Sequence, residues 1–109
     1  MLRIYPVILE WLESLAPVLR HLERVDRSLA DQLRRSSVAV CLNTSEGMGA
    51  TGKAKTQCYR VALREMRESL AAIDIAERLY GVPRGDEAEV DRGSRIVATL
   101  VRLAVPRSR

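Results

Sequence analysis

Phenylalanine is absent from this chain of 109 residues, and its aromatic side chains are limited to Tyr5, Trp11, Tyr59 and Tyr80. A core must therefore be aliphatic, filled by Leu, Val, Ile and Ala. Few rings remain on which a nucleobase could stack. Cysteine occurs twice, at Cys41 and Cys58, with no CxxC pair. That argues against a disulfide framework or a zinc ribbon and fits buried free thiols in a cytoplasmic protein. The single histidine, His21, has no triad or metal partner in view, and a Glu-x-x-His signature is missing. No metal or cofactor is expected. No apolar stretch reaches the roughly 18 residues of a membrane span. The first apolar run is interrupted by Pro6, Glu10 and Glu13, so no signal peptide is visible.

What remains is a one-domain, soluble, basic chain. Apolar residues make up 47% and charged residues 29%, with a net charge of +4. Sixteen of the eighteen basic side chains are arginine, which binds phosphate through two parallel N–H donors. The charge is unevenly spread. Residues 20–60 carry eight basic and four acidic side chains, whereas Asp86, Glu87, Glu89 and Asp91 follow one another without a base. The basic surplus points weakly to nucleic acid, since many ordinary domains share it.

Helical periodicity runs through the whole sequence, and no strand pattern or internal repeat competes with it. The first helix is expected over residues 4–22, with Ile4, Ile8, Trp11, Leu15, Val18 and Leu22 on one stripe. Pro6 falls in its first turn, whereas Pro17 should kink it or end its regular part near Ala16. A second helix is expected over residues 26–47, capped by Asp26 or Ser28 and stopped by Gly47. Its stripe is Val25, Leu29, Leu33, Ser36, Val40, Asn43 and Gly47, and the small residues there suggest close approach to another helix. A third helix is expected over residues 53–80. It places Tyr59, Ala62, Met66, Ser69, Ile73, Ala76 and Tyr80 inward and Arg60, Arg64, Arg67, Asp74 and Arg78 outward, and Gly81 and Pro83 end it. A fourth, over residues 87–104, begins with the capping pair Asp86 and Glu89 and stops at Pro106. Val90, Gly93, Val97, Leu100 and Ala104 form its inner face. The fold class is all-α: an antiparallel, up-down four-helix bundle of one domain.

The richest segment is Gln32–Gly47. Gln32, Asn43 and Glu46 stand among apolar residues there, and each must find hydrogen-bond partners once water leaves. Arg34 and Arg35 are adjacent and diverge by about 100°. One should therefore meet a neighbouring carboxylate such as Asp31 or Glu46, and the other should face solvent or phosphate. Gly47-x-x-x-x-Gly52-Lys53 superficially suggests a P-loop. It follows a helix, however, and has Ala54 where a magnesium-binding Ser or Thr belongs. A connector is the plainer reading, although Lys53 and the free amides at a helix start can hold a phosphate. Glu46 and Glu68 do not read as a catalytic carboxylate pair.

The same segment resembles the second-helix motif of a bacterial four-helix-bundle family. That family includes proteins encoded in intervening sequences of large-subunit ribosomal RNA genes and the accessory variability determinant of diversity-generating retroelements. Gln32, Leu33, Arg34, Arg35, Asn43, Glu46 and Gly47 match the motif at its spacing, with Val40 for its Ile. Ala62 and Glu68 match a second pattern on the third helix. Ser36, Ala39 and Thr44 depart from the first motif, and Arg64 and Glu65 replace a Gly-Ser pair where close packing is expected. The resemblance implies a non-enzymatic homopentamer with a basic surface. In one branch of the family it implies binding to nucleic acid and to a reverse transcriptase.

The resulting expectation is a non-catalytic oligomeric adaptor. Arg24, Arg27, Arg34, Arg35, Lys53 and Lys55 are the candidates for contact with RNA or DNA phosphates. Gln32, Asn43, Glu46, Gly47 and Glu68 are candidates for polar packing or subunit contact. The alternative is an interaction bundle that binds no nucleic acid.

Overall fold

The computed structural model describes residues 2–105, and no strand occurs among them. Five helical segments, α1 (Ile4–Ser14), α2 (Ala16–Val25), α3 (Arg27–Gly49), α4 (Gly52–Tyr80) and α5 (Glu87–Leu103), form an up-down four-helix bundle. The segments α1 and α2 together make its first arm. This arm packs against α3 and α5, and α4 closes the ring by packing against the same two. The stop assigned to Pro106 lies outside the described residues.

The first arm breaks where proline dictates. Pro17 has no N–H, and its ring would collide with a carbonyl one turn back in a continuous helix. The chain therefore tightens at Leu15, whose amide bonds the Leu12 carbonyl at 3.1 Å, and restarts at Ala16 with proline in the new first turn. All six residues of the expected stripe are nevertheless buried, so the bend leaves the apolar face continuous.

The pair α3–α4 is the most extensive contact in the molecule. Small side chains allow it. Ser36, Ser37 and Thr44 of α3 and Ala62, Ser69 and Ala76 of α4 are all buried. The hydroxyls of Ser36 and Ser69 meet at 2.7 Å across the seam, and Ser69 also donates to the Glu65 carbonyl at 2.9 Å. Both hydroxyls are thereby satisfied without a large residue separating the backbones at that point.

Gly47 belongs to this seam. The sequence reading made it a helix terminator, but α3 continues through it to Gly49. A Cβ built on Gly47 would lie 2.7 Å from Cε1 of Tyr59, so glycine is required by the ring pressed onto it. The Tyr59 hydroxyl is the one buried side-chain polar atom without a partner among the described residues, so ring packing holds this side chain. The link from α3 to α4 is reduced to Ala50 and Thr51.

Two outward faces also differ from expectation. Val25 and Val90 are exposed, and Ile96 rather than Val90 joins the core from α5. At the far end of the bundle, Asp26 ties three elements together. Its Oδ1 accepts from the Leu29 amide at 3.0 Å, capping α3, and its Oδ2 accepts from the Tyr80 hydroxyl at the end of α4 at 2.6 Å. At Gly81, in the left-handed region at φ 67°, α4 turns, and Asp86 caps α5 through the Glu89 amide. Between them Arg84 pairs with Asp74 and Glu77, fastening the α4–α5 loop.

Two outcomes are expected. Gly47→Ala gains helix propensity but forces the Tyr59 ring to move, for a net loss of about 1–2 kcal/mol in denaturant unfolding. Gly49→Ala meets nothing within 4 Å and should be neutral or stabilising. The Tyr80 hydroxyl, followed by the Leu29 amide, holds the Asp26 carboxyl below its ordinary value of 3.8. The stability it contributes is complete above that value and is lost as pH falls through the lowered one. Tyr80→Phe should therefore lower Tm at pH 7 and make the acid-side fall in Tm shallower.

Candidate functional site

The polar residues of Gln32–Gly47 divide between the α3–α4 seam and the solvent. Gln32 is exposed at the rim, where its Nε2 donates to Glu68 Oε1 at 3.1 Å. These two motif positions therefore fasten α3 to α4. Asn43 turns back on its own helix and donates to the Ala39 carbonyl at 2.9 Å. Glu46 is exposed and makes no ion pair or side-chain hydrogen bond among the described residues. No loop amides surround it, because α3 continues past it to Gly49, and Asp31 rather than Glu46 takes the arginine pairing. The Glu46 and Glu68 carboxylates are not paired; the carboxylate that Glu68 faces is Glu65.

Glu65 occupies the seam's edge with its side chain 19% exposed, 3.9 Å from Arg64. Burial first, and then the hydrogen bond and charge of Glu68, push its carboxyl above the ordinary 4.5, and Arg64 and Arg35 pull in the opposite direction. The close packing expected at the Arg64–Glu65 pair is thus divided. Arg64 points to solvent at 70% side-chain exposure, and Glu65 tucks in.

The two adjacent arginines separate as their angular offset requires. Arg34 is half-buried and pairs with Asp31 at 3.0 Å and with Glu23 of α2, joining the first arm to α3. Arg35 is exposed and makes no ion pair among the described residues. Arg24, in the last turn of α2, and Arg27, the first residue of α3, are exposed at one end of α3, whereas Lys53 and Lys55 lie beyond its other end. The 23 residues of α3 span about 34 Å, so no single small ligand bridges the two groups. Lys55 has a structural task. Its Nζ donates to the Gly47 carbonyl at 2.8 Å and lies 5.6 Å from the centre of the Tyr59 ring. It neutralises the carbonyl end of α3.

Sequence reasoning missed Arg60 and Arg102. Arg60 is exposed, as its outward position on α4 predicts, and its Nε also donates to the Ala104 carbonyl at 3.1 Å, at the end of α5. Arg60 and Arg102 come together with Lys53 and Lys55 only because α5 runs antiparallel to α4, and no local pattern signals that. His21 is half-buried, and among the described residues no cluster of three or more His, Cys, Asp or Glu could hold a metal. Burial pushes the Cys41 thiol up, away from thiolate reactivity.

A carboxyl with a raised pKa adds to folded stability below its ordinary value, and that contribution is lost as pH rises through the raised one. At pH 7 the charged Glu65 therefore weakens the fold. Glu65→Gln should raise Tm at pH 7, with the gain shrinking towards zero as pH falls below 4.5. Thermal melts across that range measure it.

No protein-family model matches this sequence, and no curated protein matches it significantly. In structure it is similar to a protein of unknown function from the S23 ribosomal protein family of Bacteroides thetaiotaomicron VPI-5482. The TM-score is 0.79 at 17% identity, over 93% of this chain and 97% of that one. That likeness establishes a shared small helical fold.

Proposed function

We propose that this bundle is a non-catalytic oligomeric adaptor that binds the phosphates of RNA or DNA through its basic surface. The observation that carries the reading is the state of its cations. Arg24, Arg27, Arg35 and Lys53 are exposed and form no ion pair among the described residues, so their charge is available to a polyanion. The motif resemblance, to the ribosomal intervening-sequence proteins and the retroelement accessory determinant, adds a homopentamer and a reverse transcriptase partner to the proposal. Among the described residues no helix is long and apolar enough to cross a membrane.

A second reading, an interaction bundle without nucleic acid, draws on the exposed apolar residues Val38 and Leu42 of α3 and Ile75 and Leu79 of α4. These outward side chains suit contact with further subunits or a protein partner. The two readings share the assembly and differ in the polyanion.

Light scattering for mass, with and without RNA, combined with binding titrations at graded salt, separates them. The adaptor should bind RNA or DNA at low salt and weaken steeply as salt rises. Arg35→Ala should leave the assembly intact, reduce affinity and lower the salt slope by about 1. Arg34→Ala should act instead on stability, by up to about 1 kcal/mol, through its exposed ion pairs. Undetectable binding to both RNA and DNA at low salt leaves only the interaction bundle.

A further inference from the structure

Three helix ends converge at one pole of the bundle: the carboxyl ends of α3 and α5 and the amino end of α4. Between α4 and α5 lies an open groove of about 870 Å³, within the roughly 300–1,000 Å³ usual for small-molecule sites. Lys53, Lys55, Arg60 and Arg102 line it, and no carboxylate does. None of the four is ion-paired among the described residues. Tyr59, Leu103 and Val105 provide an apolar wall.

The four cations are not equivalent. Lys55 and Arg60 are anchored by their bonds to the Gly47 and Ala104 carbonyls, and each keeps further N–H donors. Holding a long side chain in place beforehand removes ordering entropy that binding would otherwise have to supply. Lys53 and Arg102 are exposed and accept no helix-capping duty. At the amino end of α4, Thr51 makes no side-chain capping bond, so the first amides also face solvent. The result is a concave surface with an apolar floor, positive charge on both banks and amide donors at one edge.

We infer that this groove holds one or two nucleotide units of a single strand. The phosphate lies between Lys53 of α4 and Arg102 of α5, and the sugar and base lie against Leu103 and Val105. The inference deepens the nucleic-acid reading above and rests on it. It moves the main contact from the length of α3 to the α4–α5 pole. An acidic peptide also has anionic and apolar groups. A phosphate, with several oxygens, makes fuller use of paired cation banks and free amides than one carboxylate does. With no exposed ring in the wall, recognition is of the backbone, independent of base sequence.

The test uses the full chain, a labelled short oligothymidylate and fluorescence anisotropy at about 50 mM salt. Lys53→Ala combined with Arg102→Ala should weaken binding about tenfold or more. Arg24→Ala combined with Arg27→Ala, at the other pole, removes general positive charge but not the groove, and should weaken binding by a clearly smaller factor than the Lys53–Arg102 pair does. Neither pair includes a capping residue, and unchanged thermal melts confirm that each variant folds. Amide shifts at Thr56 and Gln57 on titration with oligothymidylate, weaker with thymidine monophosphate and weakest with inorganic phosphate, should accompany binding. If the Arg24–Arg27 variant loses binding and the Lys53–Arg102 variant keeps it, the groove is overturned and the adaptor reading stands. If wild-type protein binds no oligonucleotide, both fall. Polyglutamate shifting Thr56 and Gln57 where oligothymidylate does not would assign the groove to an acidic protein and overturn the inference.

Discussion

Close approach of α3 to α4 is the constraint from which the rest of the molecule follows. It demands small residues along both helices, and it admits hydroxyls only where they can satisfy one another, as Ser36 and Ser69 do. It lets the Tyr59 ring press against Gly47. It brings Gln32 within reach of Glu68 and leaves Glu65 caught at the margin between burial and like charge. The first arm contributes large side chains, and Ile8, Trp11 and Leu22 join the apolar core that this pair shares with it. The bundle is thus asymmetric, with a thin polar-edged seam on one side and a conventional apolar core on the other.

The cations follow the same division. Those near the seam and the helix ends are drawn into structure: Arg34 to the first arm, Lys55 to the end of α3, Arg60 to the end of α5 and Arg84 to the loop before α5. Those left over are spread along the helices and their ends, and Lys53 and Arg102 join Lys55 and Arg60 around one concavity. A count of basic residues therefore overstates how much positive charge is available to a ligand.

The elements and their inward faces were legible in the sequence because both depend on local spacing. The stripe from Ile4 to Leu22 is buried in full, and the break near Ala16 follows from one proline. The inner positions of α4, from Tyr59 to Ala76, are buried likewise. What could not be read depends on distant partners. Glycine ends helices and also permits close contact, and at Gly47 only the arrival of Tyr59 decides between the two. Arg34, Lys55 and Arg60 are long enough to choose among several acceptors, and the choice is made by the packing of other helices. The convergence of Lys53 with Arg102, 49 positions apart, exists only after the chain has folded.

The two-residue link between α3 and α4 has a kinetic meaning as well. A short closure loses little chain entropy, and the contacts it brings together are the most extensive in the protein. This helical hairpin is suited to form early and to serve as a template for the broken first arm and α5. On that view Pro17 does no harm to assembly. Two short rods joined at Leu15 can seat themselves one after the other along a surface already in place, where a single rigid rod would have to align its full length at once.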